Sequence, residues 1–241
     1  MTIPLGRWFN VPVFLHWSWW MFGLFVAVTN PTFVPVFLGM FGIVLLHEFG
    51  HCIAAQYYRW NVHHVTLYPI GGAAAMDIMP RPFEEFVVAI AGPLVNVALI
   101  PPLIYLSQYH PSLAMLSSVN IAILVFNLLP VFPMDGGRIL RSALQGVTKN
   151  RVFATHISAR IGQVMCVLMA ILGIYVSNFI LVAIAIFIAL AAEQEYQMVK
   201  EKQARDSSSS DEEGRKAVQK SADMIDDIER RIARYRKDFD R

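Results

Sequence analysis

Four runs in this chain, Val11 to Val28, Pro31 to Ala55, Phe86 to Leu106 and Leu113 to Pro133, are dominated by apolar residues. Each is near or above the roughly 18 to 20 residues that cross a hydrocarbon core at 1.5 Å per residue. A soluble fold of 241 residues does not use so many such runs. With 56% hydrophobic and 16% charged residues, the chain lies outside ordinary soluble composition, where about 25% are charged. A lipid bilayer is therefore its expected surrounding.

The last apolar stretch, Ile161 to Ala192, would make one helix of about 48 Å, long for a core of about 30 Å. Splitting it at Ser177-Asn178 gives two helices. Positive charge favours the split. Residues 1 to 196 contain eight Lys/Arg, at Arg7, Arg59, Arg81, Arg138, Arg141, Lys149, Arg151 and Arg160. With six spans all eight fall on one side, and the turns near Asn30, His110 and Ser177 carry none. The expected spans are about 11-29, 32-57, 84-107, 112-133, 157-176 and 178-197, with both termini cytoplasmic. Residues 1-200 form the expected core and 201-241 a charged cytoplasmic tail. Met1 to Gly6 lacks a basic n-region, so no cleavable signal peptide is expected. The net charge of +2 averages a nearly neutral body and a charge-dense tail, and no nucleic-acid partner is expected.

The second run contains His47-Glu48-Phe49-Gly50-His51. A charged residue at the centre of a spanning helix costs about 2.5 to 3.5 kcal/mol on insertion scales, so a glutamate between two histidines there reads as a functional site. Residues four apart share a helix face, which lets His47 and His51 aim at one metal ion. Glu48 lies one position round, where a carboxylate can take a proton from water on a zinc ion and so support amide hydrolysis.

A third ligand is expected from Asp135, in Pro130-Val131-Phe132-Pro133-Met134-Asp135-Gly136-Gly137-Arg138, where prolines break the fourth span and glycines free the backbone. His156, Asp77, Glu84 and Glu85 compete for that role, and Asp135 as a cap of the following helix is the plainer reading. His16, His63 and His64 read as packing or interfacial residues. Cys52, beside His51, and Cys166 read as buried apolar thiols.

Between Arg59 and Arg81 the alternation of Val62, Val65, Leu67 and Ile70 with polar residues, ending at Pro69, Gly71 and Gly72, predicts short strands. The fold class is thus an all-α polytopic membrane protein of six transmembrane helices with a small cytoplasmic-side β-hairpin after the second helix. Asn96, inside an apolar span, needs a hydrogen-bond partner. In the tail, Ser207 to Gly214 reads as a solvated linker, and Ile225, Ile228 and Ile232 recur at helical spacing.

His47 to His51, Tyr68-Pro69-Ile70-Gly71-Gly72, Ala91-Gly92-Pro93 with Asn96, and Asn127 through Arg138 together resemble the site-2 protease family of intramembrane zinc metalloproteases, over about Pro12 to Lys200. The resemblance implies cleavage of membrane-spanning substrates within or near the bilayer. On matching positions it implies one zinc ion held by His47, His51 and Asp135, with Glu48 as general base. It further implies Asn127 at the substrate carbonyl, and Gly71, Gly72 and Asn96 at the substrate. The likeness is to compact prokaryotic members, which implies a multi-pass protein of a prokaryotic plasma membrane. No PDZ domain fits, and a charged tail stands where some members carry paired CBS domains.

Water must reach a site roughly 15 Å from the cytoplasmic end of the second helix, so a polar channel lined by Asn127 to Asp135 is expected. A non-proteolytic scaffold or metal transporter is the competing class. Clustering of ionisable groups near one face disfavours transport, and the presence of Glu48 disfavours a dead scaffold. No serine sits in a recognisable nucleophile loop. The expected partner is a membrane-spanning protein substrate, with a regulatory partner or a second copy of the chain as further candidates.

Overall fold

The computed structural model of the chain describes residues 2–69, 71–77 and 81–239. Contacts divide it into two units, Met1–Tyr196 and Gln197–Arg241. The first unit holds the sheet and the apolar helices. Its elements are β1 (Thr2–Trp8), β2 (Val11–His16), α1 (Trp17–Thr29), a 3-10 turn (Pro31–Phe33), α2 (Val34–Tyr57), β3 (Val62–Tyr68), β4 (Gly71–Met76), α3 (Pro82–Ser107), α4 (Pro111–Leu128), α5 (Asp135–Thr148), α6 (Arg151–Tyr175) and the start of α7 (Phe179–Phe239).

The helix boundaries follow local chemistry. The His16 and His110 side chains accept from the backbone N–H of Ser18 and Ser112 at the starts of α1 and α4, and Asn150 accepts from Phe153 N at the start of α6. Prolines occupy the first turns of α2, α3 and α4, where no backbone donor is missed. Lys149 closes α5 in the left-handed conformation, and Ser177, also left-handed, marks the break between α6 and α7 at the expected place.

Among the described residues, five helices are long and apolar enough to cross a membrane, in α2, α3, α4, α6 and the Phe179–Arg205 part of α7. Of the expected first span, 11-29, the part Trp17–Thr29 is helical. The first six residues of that span form β2, leaving α1 with 13 residues, about 20 Å, which is short of the hydrocarbon core. The all-α expectation is corrected, because the sheet has four strands in the order β1-β2-β3-β4. The expected hairpin is β3–β4, paired antiparallel with Thr66 opposite Ala73 and Leu67 opposite Gly72. To its other side, β2 pairs parallel to β3, and β1 antiparallel to β2.

Val11, Val13 and Leu15 of β2 and Val65 and Leu67 of β3 pack with Phe41, Val44, Phe49 and Cys52 of α2 in one buried cluster. Burial of this cluster presses the sheet onto the helix that carries His47 and His51, and β4 is left as an edge strand beside it. In the second unit the backbone is helical to Phe239, so Ser207 to Gly214 is helix rather than the expected linker. That stretch contains no proline to stop the helix. The side chains of Ile225, Ile228 and Ile232, and all of Ile70, lie outside what the structure describes.

Candidate metal centre

The two histidines of α2 stand one turn apart and are buried, and Asp135 is brought to them by the segment after α4. A side chain at Gly136 would run into the carbonyls of Leu128 and Leu129, and one at Gly137 would lie 2.7 Å from the Val131 carbonyl carbon. Only glycine lets the chain fold back this closely and start α5 with Asp135 facing α2. The Asp135 Oδ2 atom is 3.1 Å from His47 Nε2 and 3.2 Å from His51 Nε2. The two Nε2 atoms are 3.1 Å apart.

These separations fit one tetrahedral cation. Ligands at roughly 2.0 to 2.1 Å from zinc lie about 3.3 Å from one another. The outer ring nitrogens are engaged as a zinc site requires. His47 Nδ1 donates to Asn96 Oδ1 at 2.5 Å, and His51 Nδ1 donates to the Val88 carbonyl at 2.7 Å, which directs both Nε2 lone pairs inward. Space beside them is kept by Gly92 of α3: a Cβ there would lie 2.8 Å from His47 Nε2 and closer still to His51 Nε2. Two imidazoles and one carboxylate leave a fourth position for water, the donor set of a catalytic zinc site.

Glu48 lies on the sheet side of this centre. A Cβ on Gly72 would come within 2.7 Å of Glu48 Cγ and 3.0 Å of its Oε1, so β4 passes directly over this carboxylate. A Cβ on Gly71 would meet nothing within 4 Å among the described residues. Asn127, near the end of α4, donates from Nδ2 to the Ile123 carbonyl at 3.1 Å.

Asn96, expected at the substrate, is fully buried beneath His47 with its polar side-chain atoms engaged by protein. Its Nδ2 donates to Asn120 Oδ1 at 2.8 Å, and Asn120 Nδ2 returns a bond to the Asn96 carbonyl at 2.9 Å. Sequence reading missed Asn120, although a second lone amide in an apolar span was the signal that could have found the required partner.

The competing ligands are occupied elsewhere. Glu84 accepts from Trp60 Nε1 and Arg81, Asp77 pairs with His63 at 3.1 Å, and His156 packs on Tyr196. Glu85 is buried against Arg141 and Arg151. Cys52 is buried among apolar residues, and among the described residues only His47, His51 and Asp135 group as metal donors. A cavity of about 250 Å³ beside Leu129, Val131 and Met134 is lined by apolar residues and Cys166.

A buried His-His-Asp donor set with an adjacent glutamate, held among helices apolar enough to cross a bilayer, is a candidate metal centre of a membrane protein. The model of Peptidase family M50 matches residues 35–112 and 106–172, and the chain belongs to that family. It is 35% identical over 213 residues to a zinc metalloprotease of Methanocaldococcus jannaschii, covering 82% of this chain and 61% of that protein. It is 38% identical over 104 residues to stage IV sporulation protein FB of Bacillus subtilis, covering 41% of this chain and 36% of the relative. It thus spans about three-fifths of the first of these relatives and about a third of the second. The solved site-2 protease of Methanocaldococcus jannaschii superposes with a TM-score of 0.63 at 34% identity, over 81% of this chain and 95% of that one. The family and the five apolar helices make the chain an integral membrane protein.

Proposed function

We propose that the chain is an intramembrane zinc metalloendopeptidase that hydrolyses peptide bonds of membrane-spanning substrates. The observation that carries this reading is the convergence of His47, His51 and Asp135, at mutual distances of 3.1 to 3.2 Å, beside Glu48. Zinc held there supplies a Lewis acid and brings the pKa of water to around 7. Glu48 accepts the proton of the attacking water and returns it to the leaving amide nitrogen. Asn96 orients His47, and Asn127 reaches the substrate carbonyl after releasing its bond to Ile123. Gly71 and Gly72 form the part of the β4 edge against which an unwound substrate segment pairs, which offsets the helix hydrogen bonds it gives up.

Residues 1-200 are the protease core and 201-241 a cytoplasmic tail, in the plasma membrane of a prokaryote with both termini inside. The six-span arrangement counts α1 as a short membrane element. It is supported by the absence of Lys and Arg from the turns near Asn30, His110 and Ser177.

The test is cleavage of membrane-spanning reporter peptides by the reconstituted chain and by Glu48→Gln. Glu48→Gln should keep its zinc and lose about 10²- to 10⁴-fold or more in rate, the range for a general base. Wild-type turnover by Glu48→Gln removes the assigned role of the glutamate.

A further inference from the structure

Arg138 makes no hydrogen-bonded ion pair among the described residues. It stands three residues after Asp135, one turn along α5. Its Nε and Nη2 are buried and find no hydrogen-bond partner among the described residues. It lines a cavity of about 180 Å³ with Ala74, Met76, Phe132, Pro133 and Glu195. Of the carboxylates around it, Glu48 lies within electrostatic reach without a hydrogen bond to it, and the two beside the cavity wall are paired with other cations. Glu195 Oε1 is held by Arg141 Nη1 at 2.5 Å, and Glu85 accepts from Arg141 and Arg151, so two carboxylates answer two guanidinium groups.

The geometry of the unpaired atoms specifies a ligand. Nε and Nη2 share one edge of the guanidinium, the edge that meets a carboxylate through two parallel hydrogen bonds, whereas a single peptide carbonyl spans it poorly. The strand beside the cavity gives the position. Gly72, Ala74 and Met76 alternate onto one face of β4. Gly72 abuts Glu48, while Ala74 and Met76 line the Arg138 cavity. At about 3.3 Å per residue the cavity begins roughly 7 to 13 Å along the strand from the reacting carboxylate. A peptide extended along β4 with its scissile bond near Glu48 delivers to Arg138 a side chain two to four residues away.

We propose that Arg138 forms a specificity subsite for an acidic side chain, Asp or Glu, two to four residues from the scissile bond of a membrane-spanning substrate. The inference rests on the proteolytic reading above. The carboxylate created by cleavage arises at the scissile bond itself, so the side chain is the source that fits the spacing.

The test uses the full zinc-loaded chain in bilayers and a set of membrane-spanning peptides carrying a single Asp moved residue by residue around the cleavage site, each paired with its Asn counterpart. Wild type should cleave one peptide, with Asp within four residues of the mapped site, about tenfold or more faster in kcat/KM than its Asn twin. In Arg138→Gln that ratio should collapse to about one. Arg138→Glu should favour Lys over Asp at the same position. The ratio between twins is insensitive to a general loss of activity, and the wild-type preference is read without any variant.

An equal rate for all twins in wild type, or a preference that survives in Arg138→Gln, overturns the subsite and leaves proteolysis standing. Inhibition by cleaved products that depends on Arg138, without an Asp preference, assigns the carboxylate to the product terminus and also overturns it. If wild type cleaves none of the peptides while holding zinc, the proteolytic reading fails and the subsite with it.

Discussion

Gly92→Ala separates the metal centre from the fold more cleanly than removal of a ligand. The added methyl would lie 2.8 Å from His47 Nε2 and 2.5 Å from His51 Cε1, whereas ordinary contact begins near 3.4 Å. The imidazoles must retreat by about 0.6 Å or more, well beyond the tolerance of about 0.2 Å on a metal–ligand distance. Crowding of a packed interior costs about 1 to 3 kcal/mol, but replacing glycine inside α3 returns about 1 kcal/mol of helix propensity, so net destabilisation should be about 0 to 2 kcal/mol. Zinc affinity should fall by about 100-fold or more, exceeding the effect of a typical outer-shell substitution. Gly42→Ala is the matched control, since its methyl would meet nothing within 4 Å. The assay is equilibrium dialysis against buffered zinc with metal quantified by mass spectrometry, alongside thermal unfolding of the metal-free protein. Wild-type zinc affinity in Gly92→Ala would refute the placement of α3 against the histidine pair.

Asn96→Ala should weaken zinc binding by about 10- to 100-fold, because His47 Nδ1 loses its acceptor and the ring is free to turn; the same dialysis reads it. Asn127→Ala should keep its zinc and lose about 10²- to 10³-fold in kcat, as for removal of an oxyanion donor. If its zinc content falls instead, Asn127 supports the fold of the Asp135 segment rather than the reaction.

The helix carrying His47, Glu48 and His51 was legible because ionisable groups in an apolar run stand out against the insertion penalty. The hairpin was legible through its alternating polar residues and glycines, and the break between α6 and α7 through Ser177-Asn178. β2 was hidden because Val11 to Leu15 is apolar at nearly every position and reads as the start of a helix. α5 was legible only as the helix that Asp135 could cap; hidden was that its buried face is polar, with Arg141, Ser142 and Gln145. That face joins the cluster of Glu85, Arg141, Arg151 and Glu195 from four helices, whose ion-pair contacts join residues 54 to 66 positions apart. Pairing at such sequence separations leaves no local pattern. Gly92 stood in a noted motif, yet its place against two imidazoles is a fact of packing alone.

X-ray absorption at the zinc edge of the reconstituted wild-type chain addresses the central claim most directly. The account predicts two imidazole nitrogens and one carboxylate oxygen at about 2.0 to 2.2 Å with one further light atom, and loss of the oxygen-bound site in Asp135→Ala. A sulfur neighbour at about 2.3 Å, which would bring in Cys52, or an unchanged spectrum in Asp135→Ala, would contradict it.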